Sequence, residues 1–271
     1  MVSALSEPRA AVNAIRLVLM CLYTLLIGPV VIALSFLEPS GRLALRACRL
    51  WVHWNVLTFG VSIEAEGLEN VPRDSPVVIL SNHQSLFDIA ALTETLPVDF
   101  RFVAKKELVR VPVFGWAMWA SGHIVIDRGS HVRAVARLER AADRVRSGVN
   151  VIVYPEGTRS PESRLRPFKS GGFHLAIQAQ VPILPVTVSG SNRVTPKGTL
   201  GVRPGPIKIT YGEPIPTRGL TVADRKDLKR RVREAIARGY DPELQGPVVI
   251  DPDPPISRPS QSRAQPVVEP R

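Results

Sequence analysis

The segment Ser81-Asn82-His83-Gln84-Ser85-Leu86-Phe87-Asp88 places a histidine and an aspartate five residues apart. An imidazole takes up and returns protons near neutral pH. A carboxylate on one ring nitrogen fixes its tautomer and leaves the other nitrogen as a base. On one continuous helix this spacing would turn the two side chains about 140° apart, since each residue turns about 100°. With a turn between them they can meet. Residues 77–80, Val-Val-Ile-Leu, read as a buried strand, and residues 89–92 continue at helical spacing. His83 is therefore expected at a strand-to-helix turn, on backbone held by the sheet. The same residues also read as a helix cap, with Ser85 at the N-cap and Asp88 three residues on.

Other polar residues follow strand-like runs. Lys105 and Lys106 lie just past one, where open α/β sheets bind ligands, although paired loop lysines are commonly solvated. Arg128 ends the run Gly122 to Arg128, with Asp127 beside it as a structural partner. Tyr154-Pro155-Glu156-Gly157-Thr158-Arg159-Ser160 runs from a strand into a tight turn. Gly157 permits the turn and an exposed N–H, and Arg159 offers a planar fork for phosphate. The competing reading is a surface turn in which Glu156 and Arg159 pair with each other. Lys169 adds charge nearby or is merely solvated.

The 271 residues suffice for one substantial core or two small ones, and the formal net charge of +11 favours anionic partners. Nucleic acid is not expected: aromatics are 6% of the chain and no helix-turn-helix, zinc-finger or RNP pattern occurs. Cys21 and Cys48 suggest neither a disulfide framework nor a zinc site, but free buried thiols on a reducing, cytoplasmic side.

Residues 17–37 form an uncharged apolar run of 21 residues, long enough as a helix to match a bilayer core of about 30 Å. Gly28-Pro29 interrupts it, which suggests a kink or two shorter helices. Arginines flank both ends, so a monotopic hairpin anchored on the cytoplasmic face is expected in preference to a single span. Residues 42–59, with Trp51 and Trp54, read as an interfacial helix.

From Val61 onward strands at 61–66, 77–80, 101–104, 124–126, 151–154, 183–188 and 207–211 alternate with helices. The expected fold is α/β, a mixed central sheet flanked by helices with an N-terminal hydrophobic, membrane-anchoring helical segment. Residues 1–59 are assigned to that segment, 60–240 to the α/β domain and 241–271 to a disordered Pro-rich tail. The two prolines of Val181-Pro182-Ile183-Leu184-Pro185-Val186 suggest an edge, a bulge or the floor of a tunnel. A last helix opened by Thr221-x-x-Asp224 carries a basic face, either solvated or set against anionic lipid.

These motifs together resemble the glycerolipid acyltransferases of the 1-acylglycerol-3-phosphate acyltransferase type. That family shows N-H-x-x-x-x-D, here Asn82-His83 to Asp88; G-x-I-x-x-D-R, here Gly122 to Arg128; F/Y-P-E-G-T-R-S, here Tyr154 to Ser160; and V-P-I-x-P-V, here Val181 to Val186. All four occur in the family's order, over about residues 60–215. His123 and Val125 depart from the apolar or aromatic residues expected in the second motif.

The resemblance implies acyl transfer from acyl-CoA or acyl-carrier protein to the sn-2 hydroxyl of lysophosphatidic acid (1-acylglycerol 3-phosphate), giving phosphatidic acid. It implies His83 as base and Asp88 as its orienting partner. The Gly157 N–H and Lys105 are the implied oxyanion donors, with Arg159, Arg128 and Lys169 on the acceptor phosphate and Glu156 holding Arg159 or the turn. No cofactor or metal is required. An apolar groove near Val113-Phe114 and Trp116 would take the acyl chain. The alternative acceptors are another lysophospholipid or glycerol 3-phosphate. A different class, a non-catalytic protein binding an anionic membrane surface, would not need the His–Asp pair.

Overall fold

The computed structural model describes residues 7–126, 131–160, 163–199 and 201–252. In chain order the strands are β1 (Val61–Glu66), β2 (Val78–Ser81), β3 (Phe100–Lys105), β4 (Ile124–Ile126), β5 (Asn150–Val153), β6 (Arg164–Leu165), β7 (Ile183–Ser189), β8 (Gly205–Tyr211) and β9 (Val249–Ile250). The α-helices are α1 (Glu7–Leu37), α2 (Arg42–Phe59), α3 (Phe87–Thr95), α4 (Phe114–Ala120), α5 (His131–Arg146), α6 (Gly171–Ala179), α7 (Ser191–Val194), α8 (Arg225–Arg238) and α9 (Pro242–Gln245). The main sheet has the order β1-β8-β7-β2-β5-β3-β4. Its neighbours are parallel except β7 and β8, so the sheet is mixed, as the strand pattern implied.

Side chains alternate across β2 and serve two cores. Val77 and Ile79 face Phe59, Phe87 and Leu92, beneath α2 and α3. Val78 and Leu80 face Ala142, Val145, Phe173 and Val232, beneath α5, α6 and α8. Burying each such aliphatic side chain contributes about 1.5–3 kcal/mol. The basic helix α8 therefore covers the sheet face opposite α2. Ala142 and Val145 of the apolar stripe expected in α5 are buried, while Val132, Val135 and Leu138 lie outside the described side chains.

Three expectations need correction. Gly28-Pro29 neither splits nor terminates α1, which runs unbroken for 31 residues through Pro29. A proline there forfeits one backbone hydrogen bond. Gly28 instead makes room for α4's neighbour, since Val113 Cγ1 occupies the space a Cβ would need. The corner lies at residues 38–41, where the Glu38 carboxylate accepts the N–H groups of Ser40, Arg42 and Leu43. From there α2 returns antiparallel along α1: Trp51 Nε1 donates to Thr24 Oγ1 at 3.0 Å and Tyr23 meets Thr58. Arg101 pins the corner to β3 by donating to the Ser40 carbonyl.

The tail is not structureless from 241. Residues 242–245 form α9, and β9 pairs with β6, held by Arg233 at the Asp251 carbonyl. Residues 253–271 lie outside the described residues. Finally, of the alternatives for the two-proline strand the bulge is the one found, in a strand that is central and not an edge. The ladder accommodates Pro185 by a one-residue slip: Ile183 bridges Ile215, whereas Val186 pairs with Tyr211. The thiols are free but not both buried as expected: Cys21 is exposed and Cys48 half-buried.

Candidate active site

The carboxyl ends of β2, β3 and β5 converge on one mouth. After Ser81 the chain turns before α3 begins, and the turn folds Asp88 back onto His83: Nδ1 lies 2.8 Å from Oδ2. The same oxygen accepts the N–H groups of Gln84 at 2.7 Å and Ser85 at 2.9 Å. Asp88 thus braces the turn before α3 and partners the imidazole with one oxygen, while the N-cap of α3 is Leu86, without a side-chain cap bond. With Nδ1 donating to the carboxylate, Nε2 is the basic nitrogen. The His83 side chain keeps 15% exposure, enough for a substrate hydroxyl to reach it, while Asp88 has none. Asn82 fixes the turn by bonding Val188 N–H and C=O in β7.

Glu156 does not meet Arg159. Its Oε1 accepts the His83 N–H at 2.7 Å, and its Oε2 accepts the Ser160 hydroxyl and the Arg166 N–H. Its assignment to phosphate binding is therefore corrected: a buried carboxylate with both oxygens engaged positions the histidine loop. Burial raises its pKa to about 7, outweighing the three hydrogen bonds that lower it. The Gly157 N–H is corrected as well. It donates to the Tyr154 carbonyl at 3.0 Å and so does not offer a free oxyanion donor. Gly157 takes φ +74°, which favours glycine, and Lys169 lies over its open face, where a Cβ would collide with the lysine chain.

Arg159 projects into the mouth with Nη1 buried and without a hydrogen-bond partner among the described residues. Lys105 lines the same mouth. Arg128 lies outside the described residues, and Lys169 sits over the turn rather than in the wall. Two contributors escaped sequence reasoning. Lys197, on a loop without any motif, lines the mouth. Tyr154 stacks on the His83 ring at 4.0 Å and 17°, and burial holds its phenol protonated. Its place directly after a strand, in the third motif, was the available signal.

Behind this mouth lies a cavity of about 380 Å³, within the usual size of small-molecule sites. Its depth is apolar, walled by Ile27 and Val31 of α1, Leu45 and Val52 of α2, Phe100 and Phe102 of β3, and Phe114 of α4. Phe114 thus lines the groove as expected, whereas Trp116 points outward at 54% exposure. His123 also lines it, neutral because burial lowers its pKa to about 3, with Nδ1 accepting the Phe102 N–H. Among the described residues no cluster of three metal-ligating side chains occurs.

The His83–Asp88 pair lies beside Lys105, Arg159 and Lys197 at the head of an apolar slot, and residues 62–189 match the Acyltransferase family model. The chain is 37% identical over 179 residues to human 1-acyl-sn-glycerol-3-phosphate acyltransferase alpha, covering 66% of this chain and 63% of that one. It is 36% identical to the chloroplastic enzyme BAT2 of Brassica napus, covering 62% and 48% of the respective chains. The Limnanthes alba 1-acyl-sn-glycerol-3-phosphate acyltransferase is 34% identical, covering 70% and 67%. The chain therefore spans from about half to two thirds of the length of these relatives. The crystal structure of the 1-acyl-sn-glycerophosphate (LPA) acyltransferase PlsC from Thermotoga maritima superposes with a TM-score of 0.73 at 27% identity, covering 86% of this chain and 95% of that one. The chain belongs to the 1-acyl-sn-glycerol-3-phosphate acyltransferase family.

Proposed function

We propose that the protein moves a fatty acyl group from a thioester, acyl-CoA or acyl-carrier protein, to the sn-2 hydroxyl of 1-acylglycerol 3-phosphate, making phosphatidic acid. The observation that carries this reading is the His83–Asp88 pair at a mouth where the buried Nη1 of Arg159 has no hydrogen-bond partner among the described residues, opening into an apolar cavity. In this reading His83 Nε2 accepts the proton of the acceptor hydroxyl as its oxygen attacks the thioester carbonyl. Asp88 stabilises the imidazolium that forms. The tetrahedral oxyanion collapses, the C–S bond breaks, and the imidazolium returns its proton to the leaving thiolate. Lys105 is the oxyanion donor in this reading. Arg159 grips the acceptor phosphate, with Lys197 beside it.

The protein is read as a monotopic resident of the cytoplasmic face of the membrane. Ala10–Leu37 is long and apolar enough to cross a membrane. However, α1 lies along the domain instead of projecting from it, packed on α2 and α4 and tied at its corner to β3. Leu22, Leu25, Leu26 and Val30 present its free side outward. We assign residues 1–59 to this anchor and the remaining structured chain to the transferase domain.

The test is lysophosphatidate-dependent release of free thiol from acyl-CoA by the purified protein, repeated with acyl-carrier protein as donor. Glycerol 3-phosphate and other lysophospholipids serve as alternative acceptors. Thiol release that does not depend on lysophosphatidate overturns the acceptor assignment, and no transfer to any acceptor overturns the function.

A further inference from the structure

A second basic recess lies at the edge of the sheet, away from His83. It is a cleft of about 660 Å³ between β4, the turn of residues 106–110, the end of α4 and α5. Four cationic side chains line it: Lys106, Arg110, Arg140 and Arg144. Among the described residues no carboxylate lines it. Asp143, on the same helix, is taken by Arg146, and Glu107 and Glu139 are absent from its walls. Arg140 and Arg144 are four residues apart and so share one helix face. Arg144 donates to the Gly122 carbonyl at 2.9 Å, which leaves Arg110 and Arg140 as the cations that the charge of the cleft is argued from, and His123, on the wall shared with the apolar cavity, is neutral.

The rim identifies the kind of anion. Trp119 lines the cleft at 63% exposure, and Trp116, three residues back on the same helix, is 54% exposed. Exposed tryptophans are residues of the membrane–water interface, where an apolar ring and a polar N–H are both accommodated. α4 packs against α1, whose outward leucines form the neighbouring surface. The cleft thus adjoins, through α4, the helix that carries those exposed leucines.

We propose that this cleft holds the phosphate of an anionic bilayer lipid, a site separate from the acceptor site at Arg159, and one that rests on the membrane-facing reading of α1. Such a site would fix the rotation of the domain about the anchor and hold the catalytic mouth at headgroup depth.

The test is flotation of the full-length protein with vesicles of phosphatidylcholine, alone or mixed with phosphatidylglycerol. The latter is neither substrate nor product of the proposed reaction. Phosphatidylglycerol should strengthen binding by wild type, and the double variant Arg110→Ala/Arg140→Ala should lose at least about tenfold of that gain. A cation at an anionic surface contributes about 1 kcal/mol, or roughly fivefold. Binding to neutral vesicles should not change. The double variant Lys226→Ala/Arg238→Ala on α8, equal in charge lost, should keep the gain. Equal loss in both variants means diffuse charge only and overturns the site, as does no loss in either. So does a fall in free CoA binding with the phosphatidylglycerol gain intact, which would assign the cleft to nucleotide phosphates. If wild type fails on neutral vesicles, the reading of α1 falls, while the phosphatidylglycerol gain still reports on the cleft.

Discussion

The carboxylate of Glu156 holds the backbone of His83: Oε1 accepts its N–H at 2.7 Å, and four residues on, the Ser160 N–H donates to the His83 carbonyl at 2.7 Å. The third motif thus clamps the first on both sides of its histidine. Neither residue's type suggests this alone, since a glutamate before Gly-Thr-Arg looks like a partner for the arginine.

Glu156 gives a signed pH dependence. Its carboxyl is raised from 4.5 to about 7 by burial, so the folded state binds a proton that the unfolded state releases between those values. This contribution to stability is fully present below about pH 4.5 and is lost as pH rises through about 7. The shift corresponds to at most about 3 kcal/mol. Glu156→Gln should flatten this part of the stability profile, read from denaturant melts across pH 5 to 8. A wild-type profile parallel to that of the variant would remove the buried carboxyl as its cause.

His83→Ala should lower turnover by about 100- to 10,000-fold with the fold intact, the usual worth of a positioned general base. Asp88→Asn should reduce both rate and stability, because one oxygen serves the imidazole and two backbone N–H groups. A variant that melts earlier yet turns over normally would leave Asp88 as a brace of the turn only.

Arg159→Ala should raise the acceptor KM roughly 10- to 100-fold and leave the donor KM nearly unchanged, since a charge-assisted contact is worth about 1.5–3 kcal/mol. Arg159→Lys should recover part of the loss, keeping charge without the fork. Steady-state kinetics with each substrate varied in turn decides it. An unchanged acceptor KM in the folded variant removes Arg159 from the phosphate site.

The anchor geometry predicts that both ends of α1 face the cytoplasm. In a Cys21→Ser/Cys48→Ala background, cysteines placed at Ser3 and Ser40 should both resist a membrane-impermeant thiol reagent in intact cells. Both should label in inside-out vesicles. Labelling of only one from outside indicates a span.

The seven main strands were legible because each is a short β-branched or apolar run closed by turn residues, the pattern that burial on both faces of a mostly parallel sheet requires. His83, Asp88, Lys105 and Arg159 were legible for a related reason: polar residues directly after such runs must emerge at one end of the sheet. What the sequence hid depends on contacts distant along the chain. Gly28-Pro29 reads as a break until Val113 is seen filling the glycine's notch, and the corner at residues 38–41 is tied to the sheet by Arg101, some sixty residues away. The Gly157 N–H reads as exposed until the turn aims it at the Tyr154 carbonyl, and Lys197 carries no local signal.

One wall of the apolar cavity is made of Ile27, Val31, Leu45 and Val52, residues of the two helices proposed as the anchor. Trimming residues 1–59 to obtain a soluble enzyme would therefore remove one wall of the slot along with the hydrophobic helices, and uncover the core around Val61 and Phe87. Detergent is then not a neutral handling agent for this protein. On the proposed function, an alkyl tail that shields α1 has the shape of the acyl chain assigned to the slot, and should compete with the substrate for it.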